Sequence, residues 1–436
     1  MLQPPILSEI LSEVPEVKAQ WDIFFLRKNT FSFEGKDLRI EKQKKAHSAK
    51  FFIRIIKDKK VGYSYCIDKA QIKQAFETAL SIAEVSDPDE FLSLPETAQI
   101  KQVEVYDEKL VSCIDGVSQF LISMQEAAFF DKRIKKLRNA QLTVEISEKG
   151  VLNSHGISLF QPFTSVTAHI IAVAEDKDSQ MAWSYKAERF LKNLNFEKVG
   201  KEASQKALML LNPKRLCSFK GMILFDPFVA VEFLELIAQS LSAENYQMGK
   251  SLFIDKIGKV VINGGLSIID DGLIAERFGS TPFDAEGVPT SNKILIENGV
   301  LNMLLHNTYT ANRAKTSSTG NAVRTDRGIS VGPTNLYLEG EKKLTKKELI
   351  DMVDKGLYVI EVMGMHTANP VSGEFSVGVS GIYIEKGQFI HPVKEVVISG
   401  NVLDLFKNTV AVGDDLTFFG NIGSPSLLTE GIDISG

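Results

Sequence analysis

Over Asp68–Glu84 the apolar residues Ile72, Ala75, Phe76, Ala79, Leu80 and Ala83 recur at helical spacing, which predicts an amphipathic helix. The chain before it alternates instead. Trp21–Arg27, Phe31–Phe33, Ala49–Ile56 and Val61–Ile67 read as strands, with Lys57-Asp58-Lys59-Lys60 as the turn between the last two, and residues 6–17 as a short amphipathic helix. Val85–Thr97 is a Pro-rich, acidic connector. Leu110–Ala128 predicts a second long helix, and Gln141–Ser147, Leu152–Ser154 and Ser165–Val173 a strand meander turning at Lys149-Gly150 and at Ser154-His155-Gly156. A helix from Phe196 to Leu211 closes this half, and the chain divides near Asn212-Pro213, since a helix stops before proline.

The second half is strand-dominated. Gly221–Phe225 leads into a helix that starts sharply, with Asp226 as its N-cap and Pro227 at its first position. Lys293–Ile296 and Val300–Leu305 pair through Glu297-Asn298-Gly299, and Gly381–Ile384 pairs with Phe389–His391 through Glu385-Lys386-Gly387-Gln388. These patterns predict an α+β chain. An N-terminal α+β domain, 1–212, precedes a β-rich domain, 213–436, in which curved antiparallel sheet surrounds the Asp226 helix.

Composition narrows the function classes. A length of 436 residues calls for two domains. A net charge of −5 leaves no basic excess to replace phosphate counterions, so nucleic acid is not expected as a partner, and the basic run Arg39–Lys50 reads as a solvated strand-and-turn surface. Cys66, Cys113 and Cys217 are isolated, which fits a reducing compartment. The N-terminus MLQPPILSEILSEVPEV lacks the pattern of a signal peptide, and no segment approaches 18 uninterrupted apolar residues; a cytoplasmic protein without membrane spans is expected.

Three polar, glycine-rich blocks stand out: Gly279–Thr290 (GSTPFDAEGVPT), Ser317–Arg324 (SSTGNAVR) and Met363–Gly381 (MGMHTANPVSGEFSVGVSG). Each lies between strands and is too rich in Gly, Ser and Thr for a packed helix, so their backbone groups are expected to be offered to a partner or ligand. With NSHGISLFQPFTSVTAHIIAVAED (153–176), the Asp226 helix and ISGNVLDLFKNTVAVGDDL (398–416), these blocks resemble the TldD/PmbA (TldE) family of zinc-metalloprotease subunits, to which the older label modulator of DNA gyrase also attaches.

In active subunits of that family, the resemblance implies, zinc is held by two histidines of an HExxxH helix and a cysteine near the C-terminus, and the motif glutamate acts on the zinc-bound water. That chemistry needs neutral imidazoles, a thiolate and a carboxylate around an open coordination position. Here Glu235 and Ser240 fall at the histidine positions, Leu236 at the glutamate and Ser424 at the cysteine, and residues 226–245 contain no His or Cys. The chain therefore resembles the PmbA/TldE type of subunit, with no metal of its own and zinc in a TldD-like sibling. As implied by the resemblance, two subunits enclose a chamber that admits unfolded peptides for precursor maturation or antitoxin degradation.

Other chemistry finds little support. His306, His366 and His391 lack metal-ligand spacing and read as residues making local loop hydrogen bonds. Ser372, Ser376 and Ser380 near His366 lack a GxSxG elbow, and a serine-rich loop beside strands is ordinarily a turn network. Ser317–Asn321 with Arg313 and Arg324 is a weak anion nest whose default reading is a turn. Glu374–Ser380 (EFSVGVS) alternates, so its polar face either lines a peptide groove, with His366, Glu374, Ser376, Gly378 and Ser380 as contacts, or belongs to a plain half-buried strand. The expected assembly is a dimer, with a sibling or with itself. A homodimeric peptide-binding protein without protease activity and a hydrolase with an unrecognised site stand as alternatives.

Overall fold

The computed structural model describes residues 4–436; Met1–Gln3, the start of the acidic N-terminal segment, lie outside the described residues. Strands of unusual length dominate the N-terminal half. Gln20–Lys36 pairs antiparallel with both Arg39–Lys57 and Ile134–Asn153, and Lys60–Cys66, Ser158–Glu175 and Ser179–Glu188 complete a six-stranded antiparallel sheet. The basic run at 39–50 is thus part of one long strand rather than strand and turn, while the turn before Lys60 is as expected, with Asp58 and Lys59 at positive φ. The helix Ile72–Val85 buries Ile72, Ala75, Phe76, Ala79 and Ala83, five of the six residues of the predicted stripe.

Two expectations fail for identifiable reasons. Lys149-Gly150 is no turn: both residues lie inside the strand Ile134–Asn153. A Cβ on Gly150 would fall 2.3 Å from the Phe25 ring and 2.6 Å from the Leu159 carbonyl oxygen, so the glycine serves close approach between strands. The long helix at 110–128 is broken into Glu108–Ser112, a 3₁₀ turn at Ile114–Gly116 and Ser118–Ala128. The break coincides with Gly116, and the Ser112 hydroxyl bonds back to the Glu108 carbonyl at 2.7 Å.

In the C-terminal half, Phe219–Phe225 pairs with Lys355–Met363 on one edge and with Leu427–Ser435 on the other. Glu374–Glu385 and Gln388–Asn401 bridge those two strands, so five strands close into a barrel. The five-stranded barrel is antiparallel except where Phe219–Phe225 runs parallel to Lys355–Met363. Both predicted turns form, with Asn298, Gly299, Lys386 and Gly387 all at positive φ as two-residue turns require, but the return strand of the first hairpin is only Val300–Leu301 rather than Val300–Leu305.

The helix Pro227–Ser240 fills the space between this barrel and a second, six-stranded sheet that includes Leu266–Asp271, Asn292–Glu297 and Leu336–Gly340. It is apolar nearly all round, as a helix with sheet on two sides must be. Phe233 packs between Phe225 and Phe375, with ring centroids 5.2 and 5.0 Å away.

Candidate functional site

The central helix is positioned by its first residue. The Asp226 carboxylate accepts from Phe228 N at 3.3 Å, capping the helix, and from the Tyr358 hydroxyl at 2.6 Å on the barrel wall. The four positions at which the resemblance places the family's zinc motif then fall as follows. Glu235 is exposed, Leu236 is buried in the apolar core, and Ser240 and Ser424 are fully buried. The Ser240 hydroxyl accepts from Leu252 N at 3.0 Å and donates to the Pro370 carbonyl at 3.4 Å, and the Ser424 hydroxyl donates to the Pro425 carbonyl at 3.0 Å. One carboxylate, two hydroxyls committed to backbone and an aliphatic side chain do not match the thiolate, imidazole and carboxylate donors that zinc prefers. Among the described residues no three His, Cys, Asp or Glu side chains converge so as to hold a metal ion.

What the helix does carry is a carboxylate cluster that the sequence reading passed over. Glu232 and Glu235, three residues apart, share a helix face, and Glu361 from the barrel faces Glu232 while accepting from Trp183 Nε1 at 3.0 Å. Burial pushes the Glu232 carboxyl up to about 7, and the charges of Glu235 and Glu361 add to the effect. Burial also raises Glu361, against the opposing Trp183 hydrogen bond. Glu232 Oε2 is buried with no hydrogen-bond partner, so protonation of Glu232 relieves both repulsion and desolvation. Two glutamates in an otherwise apolar helix, FVAVEFLELIA, were the available signal.

The five predicted peptide-contact residues sit together only in part. Glu374 and Ser376 are exposed and Gly378 and Ser380 half-buried along one face of the strand Glu374–Glu385, whereas Phe375, Val377 and Val379 are buried in the core that surrounds the central helix. His366 is exposed on a separate 3₁₀ turn, Met365–Thr367. The backbone at Gly378 faces Met363 on one side and Val397 on the other, so both strand edges are taken and no further strand can pair there. The surface this leaves is a side-chain face, on which Met363 and Val397 are 53% and 37% exposed beside the bare backbone of Gly378.

Blocks one and two do not offer their polar groups outward as expected. Asp284 accepts three backbone N–H groups, from Glu286, Val288 and Ala322, each at 2.9 Å. The Glu286 carboxylate takes Arg54 Nη1–H at 2.8 Å and Thr308 N–H at 2.8 Å. Arg54 and Arg324 both donate to Asp22. Asn321 donates to Asp270 at 2.9 Å, and Lys293 pairs with the same carboxylate at 3.0 Å. These networks are buried, and the Arg54–Glu286 and Arg324–Asp22 pairs bind the second half of the chain to the first. Phe283, Ala285 and Ala322 complete the junction by packing on Phe24, Val151 and Ile157.

A closed barrel packed on a buried helix is joined to a sheet of long antiparallel strands, and comparison with known proteins identifies the family. Residues 21–83 match PmbA/TldA metallopeptidase domain 1, 104–211 the central domain and 219–436 the C-terminal domain. The chain belongs to the PmbA/TldD family. It is 30% identical to a metalloprotease PmbA homolog of Haemophilus influenzae over 378 residues, covering 85% of this chain and 81% of that one. A crystal structure from Thermotoga maritima, described as a modulator of DNA gyrase, superposes with a TM-score of 0.89 at 30% identity over 96% of both chains. The structure of TldE from Thermococcus kodakarensis shares the fold, with a TM-score of 0.89 at 24% identity over 99% of both chains.

Proposed function

We propose that this chain is the non-catalytic, PmbA/TldE-type subunit of a two-subunit zinc metallopeptidase that acts on unfolded peptides. In this reading it holds no zinc; a TldD-like sibling supplies the metal, and this chain shapes the chamber in which the peptide is held. The observation that carries the proposal is the side-chain set at the motif positions, where Leu236 is packed in the core and the hydroxyls of Ser240 and Ser424 are committed to backbone. Neutral hydroxyls are poor zinc ligands, and a leucine moves no proton.

The assembly proposed is a dimer, with the sibling or with a second copy, through the face carrying Met363, Gly378 and Val397. Exposed apolar side chains around a bare glycine backbone form the kind of surface that a partner covers. Glu374, Ser376, Ser380 and His366 border that face and are proposed to meet peptide by their side chains. The net charge of −5 supports a partner other than nucleic acid, and no helix among the described residues is long and apolar enough to cross a membrane. Elemental analysis of untagged protein tests the proposal: the expected zinc content is far below one per chain, and one tightly held zinc per chain contradicts it.

A further inference from the structure

At the junction of the two halves lies a cavity of about 380 Å³ that no part of the proposed peptidase reading uses. Its apolar wall comes from Phe24, Leu26 and Phe52 of the N-terminal sheet and from Phe278 of the segment entering the first polar block. Two cations line it, Lys149 and Arg324. Lys149 Nζ donates to Thr281 Oγ1 and, at 3.2 Å, to the Phe283 carbonyl, and its charge lies over the Phe283 ring, 5.0 Å from the centroid. An ammonium has three donors, so one is uncommitted, and Lys149 forms no salt bridge among the described residues. The Arg324 side chain is 2% exposed; it donates to Asp22 through Nη2, while its Nε has no partner. An uncommitted ammonium donor in a largely apolar cavity, with a second cation on the wall, is costly unless an acceptor arrives.

We propose that this cavity is a binding site for a carboxylate carried on an apolar body, the carboxylate taken by the uncommitted Lys149 donor with the Arg324 guanidinium lining the same cavity, and the body packed against Phe24, Leu26, Phe52 and Phe278. The chemistry is shared by the C-terminal end of a peptide with an apolar last residue and by a free aryl or alkyl carboxylic acid. The site does not depend on the peptidase reading.

The surrounding charges fix the pH behaviour. Burial, with Arg189 nearby, pushes Lys149 down to about 7 against the opposing charge of Asp284. Arg189 is itself lowered by burial to about 10 and stays charged over the neutral range. Asp284 is raised to about 7 by burial and by Glu286, and its ionisation adds negative charge to the cavity as pH rises. Loss of the Lys149 proton and gain of the Asp284 charge both oppose an anion, so carboxylate affinity falls from about pH 6.5 to about pH 8.5, and binding takes up a proton.

Isothermal titration of the full chain with N-acetylphenylalanine, its amide and an acetylated tetrapeptide acid ending in Phe tests the inference. Expected are binding of the free acid at about pH 6.5, at least ~10-fold weaker binding of the amide, and ~10-fold loss of acid affinity by about pH 8.5. Proton uptake should appear as a buffer-dependent enthalpy. Lys149→Met should abolish the acid–amide difference, and Lys149→Arg should retain part of it, with circular dichroism confirming that both variants fold. Tighter binding of the tetrapeptide acid assigns the site to chain ends, and preference for the small acid assigns it to a free carboxylate. Equal affinity for acid and amide, no binding of any acid at millimolar concentration, or a pH-independent affinity overturns the inference.

Discussion

Arg54 Nη1 donates to the Glu286 carboxylate at 2.8 Å across 232 residues of sequence, with the two side chains 3% and 0% exposed. One partner comes from the second strand of the N-terminal sheet and the other from the glycine-rich block of the C-terminal half, so the pair joins the two halves directly. Removing one member of a buried pair leaves the other charged and desolvated. Glu286→Gln or Arg54→Met is therefore expected to cost about 3–5 kcal/mol in chemical denaturation. A loss below about 1 kcal/mol would mean that water or rearrangement satisfies the remaining charge.

Glu232 gives a pH signature. Its carboxyl is ordinary in the unfolded chain and is raised to about 7 in the fold, so the folded state binds the proton more tightly. Its contribution to stability is thus fully present below about pH 4.5 and is lost as pH rises through about 7. Glu232→Gln mimics the protonated form. The variant should match the parent near pH 5 and exceed it by about 2 kcal/mol near pH 8, read from paired denaturation curves. Equal differences at both pH values would show that Glu232 is ionised throughout.

Gly150→Ala tests why the expected turn is absent. The added Cβ meets the Phe25 ring and the Leu159 carbonyl, so a loss of about 1–3 kcal/mol is expected, with the strand retained. A neutral or stabilising effect, as helix or loop glycines often show, would contradict close packing as the reason for the glycine.

Much of the fold was legible because its signals are local. The stripe from Ile72 to Ala83, the Asp226-Pro227 start and the Asn298-Gly299 and Lys386-Gly387 turns each depend on a few neighbouring residues, and each formed. Gly150 misled because close approach to Phe25, 125 residues earlier, looks in sequence like a turn beside a lysine. Blocks one and two misled in the same way: their Gly, Ser, Thr and acidic residues read as ligand-facing, yet their partners Asp22 and Arg54 lie more than 200 residues upstream. At the candidate site the motif positions rest on the resemblance alone. The Glu232–Glu361 cluster depends on a helix meeting a strand 129 residues later, and no local spacing encodes that meeting.

The exposed face around Gly378 predicts an assembly phenotype. A Cβ on Gly378 would touch Met363 Cε at 3.5 Å, ordinary contact, so Gly378→Val should fold normally. Charging the face with Met363→Lys and Val397→Lys should likewise leave the circular dichroism spectrum unchanged and shift light scattering from dimer to monomer. An unchanged dimer would place the interface elsewhere.

This chain is proposed to support peptide cleavage without performing it. The most direct test is the rate of hydrolysis of an unfolded peptide by the untagged chain with added zinc, by a TldD-type sibling, and by the two together. No turnover is expected from this chain alone, and faster turnover from the mixture than from the sibling. Zinc-dependent cleavage by this chain alone, abolished by a chelator, would contradict it.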